Sequence, residues 1–442
     1  MDTRSIAFAI PLFFLLIGLE AWLDARRRRR LRAERQTRGE TALAVEPEPA
    51  YRFADAITSL SCGVGQQVLA ITFVSGLAIG GYTLVYDHLR LFSMSMTSVA
   101  AWIAIVLLVD FAYYTYHLAS HRINFFWATH VVHHQSEEYN LATALRQSWF
   151  TGLTSWIFYL PIALLGFPPL MYVIALTVNT LYQFWIHTRL VGKLGALESV
   201  LNTPSHHRVH HGIDPEYIDK NYAGIFIVWD RIFGTFVEEK DEPAYGTVKP
   251  LASFNAFWAN VEGFVLLARM SGRTKRLSDK LLIWLKPPEW RPDDLGGVVV
   301  VPHVDHAKRQ KFGTAESAAV RRYLVLQFTV SAVVVGLLLW FNASLDGSVR
   351  AGGVGLTLAA ILVWGGLLER RAWAIPVESS RLVLQIAFAA LVVSKSSLTS
   401  LSWTAAAVGS AAALAGVSGL LLWGLRDNPR SVGFVKTPSR RA

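Results

Sequence analysis

Cysteine is almost missing from this chain. Cys62 is the only one in 442 residues, so no intrachain disulfide can form and no cysteine-based metal motif is available. Charge is scarce as well: 17% of residues are charged, against about 25% in soluble domains. Hydrophobic residues reach 52% and the mean hydropathy is +0.35, which excludes an ordinary soluble domain. No glycine-rich nucleotide loop stands outside the apolar runs, and Gly352, Gly353 and Gly355 lie inside one, where they suit helix packing. No Ser-His-Asp or Cys-His nucleophile pattern is visible. Acidic residues are outnumbered 42 to 32, giving a net charge of +10. That surplus is not spread as nucleic-acid binding requires: eight arginines lie between Arg26 and Arg38, directly after an apolar run.

Apolar stretches do abound. A bilayer crossing needs about 20 residues, and runs near 6–24, 57–85, 97–116, 148–165, 168–187, 322–341, 351–368, 381–398 and 403–424 meet that length or approach it. The pair 148–187 is split by Gly166, Pro168 and Pro169, the chemistry of a tight helical hairpin. The first run has no small-residue cleavage site and leads into Arg26–Arg30, so it is expected to stay as an anchor. Basic residues beside a span mark the cytoplasmic side, which puts the N-terminus outside and orients the remaining spans. The expected fold is an all-α, polytopic membrane bundle of about nine spans. Its expected segments are an N-terminal anchor and basic linker (1–56), a catalytic domain (57–240), a cytoplasmic interfacial segment rich in Trp and Phe (241–321) and a four-span C-terminal domain (322–442).

Ten of the thirteen histidines fall between His117 and His211. The arginine-derived topology delivers all ten to the cytoplasmic face. His117 and His121 are spaced i, i+4 and share a helix face. His130, His133 and His134 form an H-x-x-H-H box, and His207, His210 and His211 repeat it. Eight imidazoles exceed the four ligands of a tetrahedral ion and fit two ions with open positions. Imidazole suits Zn, Cu, Fe and Ni. Being neutral, it calls for carboxylates beyond the ligands, and Asp110, Glu137, Glu138, Asp214 and Asp230 are candidates. His187, at the end of a span beside the cluster, is a candidate ligand. His206 points elsewhere on its helix and is expected to support a ligand. His303 and His306 read as surface residues, and His88 as an outer-loop residue.

The run DFAYYTYHLASHRINFFWATHVVHH from Asp110 to His134 resembles the fatty acid hydroxylase superfamily, which includes sterol desaturases. SEEYNLATALRQS (Ser136–Ser148), LYQFWIHT (Leu181–Thr188), LNTPSHHRVHHG and IDKNYAGIFIVWDRIFGTF (within Leu201–Phe236) look like its alkylglycerol monooxygenase branch. That resemblance implies a di-iron centre held by the eight box histidines, and O2, a lipid substrate and an electron donor (reduced tetrahydrobiopterin or an external reductase). It also implies cleavage of O-alkyl glycerolipids by hydroxylation beside the ether oxygen. A sterol, fatty acyl or carotenoid substrate is the alternative. Arg122 and Arg189 stand where the family pattern has glutamates, a local reversal of charge that an anionic substrate or product would suit. The expected setting is an integral, multi-pass protein of a bacterial inner membrane, with no nucleic-acid partner. A metal transporter would need polar residues along several spans and a haem carrier paired histidines at mid-membrane depth, whereas here the polar groups gather at one end of the spans. A zinc hydrolase is distinguished by its metal.

Overall fold

The structure, a computed structural model, describes residues 3–38, 48–70, 75–306, 308–314, 316–395, 409–419 and 432–436. Its helices run in the order α1 Thr3–Thr37, α2 Phe53–Leu69, α3 Ser75–Leu89, α4 Val99–Arg122, α5 Asn124–His134, α6 Leu141–Ala144, α7 Thr151–Ser155, α8 Leu160–Leu164 and α9 Pro169–Trp185. They continue with α10 Pro204–His210, α11 Val228–Ile232, α12 Ala256–Arg273, α13 Leu277–Leu285, α14 Ala318–Phe341, α15 Gly347–Leu368 and α16 Ala374–Ser394. The expectation of helices alone needs one amendment. Strand β1 (Gln310–Thr314) pairs antiparallel with β2 (Val432–Lys436), Gln310 opposite Lys436.

Helix starts follow the local chemistry. Ser98, Asn140, Asn255, Ser317 and Asp346 each accept a backbone N–H at the first turn of α4, α6, α12, α14 and α15, satisfying donors that no helix can pair internally. Gly166 sits at φ +85°, and a β-carbon there would fall 1.9 Å from the Phe92 carbonyl. The turn between α8 and α9 therefore requires glycine.

Among the described residues, four helices are long and apolar enough to cross a bilayer: α4, α14, α15 and α16. The chain is an integral membrane protein, and several of the nine expected runs do not form one long helix among the described residues. The run 57–85 is occupied by two described helices of 17 and 15 residues. The run 148–165 folds as α7, a 3-10 turn (Trp156–Tyr159) and α8. At 1.5 Å per residue its apolar helical part, Thr151–Leu164, reaches about 21 Å, short of the roughly 30 Å hydrocarbon layer. With α9 it makes the expected hairpin, but not two full crossings. The run 6–24 forms the first half of α1, and 403–424 lies largely outside the described residues.

Two apolar clusters organise the bundle. One joins α2, α12, α14 and α15 through Ile57, Cys62, Ala259, Leu324 and Trp364. The other joins α3, α4, α8 and α9 through Tyr82, Ile105, Ile162 and Met171. Helix α5 packs on α4 from the second and α12 from the first. The close fit to α12 depends on Gly263, where a β-carbon would meet the Ala128 α-carbon at 2.9 Å. The histidine-bearing helix is thus held where the two halves meet.

Candidate metal centre

The histidines converge in two adjoining groups. His117, His121, His130, His134 and His210 form one; His133, His187, His207 and His211 form the other. Within each group one ring nitrogen per residue lies within 4.8 Å of all the others. His134 and His211 stack across the boundary at 4.5 Å between ring centroids.

Helical spacing explains this partition. In each H-x-x-H-H box the i, i+4 pair goes to one group and the i+3 histidine to the other. His130 and His134 serve the first group and His133 the second; His207 and His211 serve the second and His210 the first. Each box therefore straddles both groups. The i, i+4 pair of α4, His117 and His121, completes the first group, and His187, just past α9, completes the second.

Four of the ring protons are committed outward. The Nδ1 of His117 lies 2.7 Å from the Tyr222 carbonyl, that of His187 2.7 Å from Gln183, that of His210 2.9 Å from Lys220 and that of His133 3.1 Å from Arg146. A carbonyl only accepts, so in each ring Nδ1 carries the hydrogen and Nε2 presents a lone pair inward. The inward nitrogens crowd one another. His133 Nε2 faces His187 Nε2 at 3.1 Å and His211 Nε2 at 3.0 Å, and His117 faces His130 at 2.9 Å. His121 and His210 bury Nε2 atoms that have no partner. Opposed lone pairs and orphaned acceptors cost about 1–3 kcal/mol each when buried. A cation between them converts the same arrangement into coordination, so these residues fit a metal in each group. Burial with mutual repulsion holds His130, His134, His207, His210 and His211 well below the ordinary imidazole value, and burial brings His133 to about 4. Neutral rings are the ligand form.

The carboxylates act differently from expectation. Asp110 touches no histidine of either group. It accepts from Asn179 (2.6 Å), the Ile225 and Phe226 amides (2.6 and 3.0 Å) and the Trp229 indole (2.9 Å). Asp230 accepts from the Tyr222 and Ala223 amides at 2.8 Å. Together they clamp the loop whose Tyr222 carbonyl orients His117. Gly224 lets this loop close, since a β-carbon there would fall 2.7 Å from Asp110. Glu137 and Glu138 are also removed from the histidines: Glu137 accepts from the Phe312 amide (2.7 Å), and Glu138 pairs with Arg52 (2.5 Å) and Lys311 (3.0 Å). Asp214 accepts from the Ala244 amide at 2.8 Å and meets His306 at 2.6 Å, so His306 is a paired residue, while His303 is exposed. His206 belongs to neither group and packs edge-on against Phe236 at 5.2 Å.

Among the described residues, a carboxylate meets a clustered ring at Asp219, 3.2 Å from His121 Nδ1. Its backbone is left-handed (φ 58°), as is that of Asn221 (φ 55°), an uncommon conformation for residues other than glycine. Burial pushes the Asp219 carboxyl up, but the His121 contact and the Arg122 charge carry it below its usual value. No spacing rule separates Asp219 from Asp214 or Asp230, and its left-handed backbone leaves no mark in the sequence. Arg122 lies 3.5 Å from Asp219, and Arg189 pairs with Glu242. Arg122 and Arg189 thus each carry a local counter-charge.

Aromatic rings seal the centre. Trp127 lies 4.9 Å from His121, Tyr222 5.2 Å from His121, and Tyr139 5.3 Å from His211. Helix α1 contributes too. Its buried Glu20 accepts from Thr188, beside His187, at 2.5 Å, from the Leu141 amide at 2.8 Å and from Tyr51.

The fatty acid hydroxylase family model matches residues 102–235, which contain every histidine of both groups. The chain is 41% identical over 285 residues to alkylglycerol monooxygenase of Homo sapiens, an alignment covering 64% of this chain and 63% of that protein. It is 38% identical over 338 residues to the Danio rerio alkylglycerol monooxygenase, covering 76% and 75%, and 38% over 339 residues to that of Xenopus tropicalis, covering 75% and 74%. No solved structure gives a significant match. With three quarters of two such relatives covered, the chain belongs to the fatty acid hydroxylase family, in the group that contains the alkylglycerol monooxygenases.

Proposed function

We propose that this protein is a di-iron lipid monooxygenase whose nine clustered histidines are the metal ligands, and that its substrate is an O-alkyl glycerolipid. The observation that carries the reading is the pair of interleaved groups with lone pairs turned inward. Five and four imidazoles leave positions free on ions that take six ligands. When bound, iron supplies the activation of O2. The alkylglycerol monooxygenases to which the chain is similar support the substrate.

The reaction balances as a two-electron oxygenation. One oxygen atom enters the C–H bond of the carbon beside the ether oxygen; the other leaves as water with two electrons and two protons from the donor, a reduced tetrahydropterin in this proposal. The hemiacetal then passes its hydroxyl proton to the ether oxygen as the C–O bond breaks, giving a fatty aldehyde and a free glycerol hydroxyl. The chain's own residues hold this geometry. The carbonyls of Tyr222, Gln183, Lys220 and Arg146 fix ring tautomers, Asp219 orients His121, and Trp127, Tyr139 and Tyr222 exclude water around the rings. We place this face in the cytoplasm on the arginine run Arg26–Arg38.

Purified protein incubated with alkylglycerol, O2 and tetrahydropterin tests the reading. Release of fatty aldehyde supports it. Oxygen uptake with a sterol or acyl lipid, and none with alkylglycerol, would reassign the substrate.

A further inference from the structure

Helix α13 exposes a stripe of leucines that no described residue covers. Leu277, Leu281 and Leu285, spaced i, i+4, i+8, are 78%, 68% and 62% exposed. The stripe does not come from a loose helix. Ile283 is buried against Ala128 and Leu267, the Trp284 indole donates to Ser271 at 3.0 Å, and Asp294 accepts from Thr274 and the Lys275 amide in the turn joining α12 to α13. The surroundings are strongly basic. Arg269, Arg273, Lys275, Arg276, Lys280 and Lys286 accompany one acid in the stretch 269–286, the buried Asp279.

The depth of this unit is set by two spanning helices. The Asn124 amide, two residues past the end of α4, donates to the Lys286 carbonyl at 3.0 Å. At the other end, the Phe254 amide just before α12 donates to Glu369 at 2.8 Å, and Glu369 directly follows α15. The α12–α13 pair is therefore strung between the ends of two spans, at the edge of the hydrocarbon.

We propose that α13 is an interfacial lipid-binding helix. Its leucine stripe enters the acyl boundary, and its basic residues engage the headgroups of anionic phospholipid. A short helix with one apolar face and flanking Lys and Arg gains from both terms on a negative leaflet. Because α13 packs on α5, which carries His130, His133 and His134, this contact seats the metal-bearing helix at the lipid surface.

Cys62 is fully buried, so Leu281→Cys adds the one reactive thiol for an environment-sensitive label on the full chain. The labelled protein is reconstituted in nanodiscs of phosphatidylcholine, with or without phosphatidylglycerol. With phosphatidylglycerol present, quenching by iodide should fall about fivefold relative to free label while brominated lipid quenches strongly. In phosphatidylcholine alone, or with Arg273→Glu, Arg276→Glu and Lys280→Glu combined, most of that protection should vanish. Equal iodide quenching in both discs would overturn the proposal. So would protection without bromolipid quenching, which would mean that a protein or a second copy covers the stripe. The readout needs no turnover, so its failure leaves the monooxygenase reading untouched.

Discussion

His133 and His187 face each other through Nε2 at 3.1 Å, and each has its Nδ1 on a backbone carbonyl, Arg146 at 3.1 Å and Gln183 at 2.7 Å. Two acceptors cannot hydrogen-bond to one another, so a cation between them stabilises the pair. His187→Ala should lower bound metal from two ions per chain to about one, with activity below about a hundredth of normal, because a second-group ligand is lost. His206→Ala should retain both ions. Metal analysis of the purified variants checks this, and equal loss in both would break the assignment.

Removing metal leaves the opposed lone pairs uncompensated. Chelated protein should melt at a lower temperature than the loaded form, and added metal should restore it, since a ligand that binds only the folded state stabilises it. Calorimetry before and after chelation measures the shift. An unchanged melting temperature would show that the rings need no cation.

Acid should act in the same direction. The His133 ring titrates near 4 in the fold, against about 6.5 in an unfolded chain. Between those values the unfolded chain binds more protons, so the metal-free fold is most stable above about 6.5 and loses stability as pH falls towards 4. Unfolding midpoints of the chelated protein from pH 7 to 4.5 should decline. A flat profile would contradict the buried, neutral state of the rings.

Asp219 and Asp110 should separate tuning from scaffolding. Asp219→Asn removes the carboxylate on His121 and should weaken metal binding or activity about 10–100-fold with little change in folding. Asp110→Ala strips the acceptor from four donors, each costing about 1–3 kcal/mol, and should lower the melting temperature together with metal content. Metal titration and melting curves on both variants decide it. The pattern fails if Asp219→Asn destabilises as much as Asp110→Ala.

The spacing of the histidines made eight of the nine clustered rings legible before any coordinates, because i, i+3 and i+4 positions have a fixed meaning on a helix. His187 was legible only as a neighbour of the cluster, since one histidine at a helix end carries no period. Asp219 was missed because its role depends on a left-handed backbone in a polar loop. In one expected span composition outran geometry. Residues 148–165 are apolar enough to cross, yet fold as two short helices and a 3-10 turn. Arg122 and Arg189 looked like a reversal of charge because their counter-ions, Asp219 and Glu242, lie far away in sequence.

The central claim is a two-ion centre built by nine histidines from interleaved boxes. Elemental analysis with Mössbauer spectroscopy on the purified, iron-loaded full chain tests it most directly. The account predicts two irons per chain in nitrogen-rich sites, falling to about one in His187→Ala and likewise in His134→Ala. A single zinc, or iron unaffected by either substitution, would contradict it.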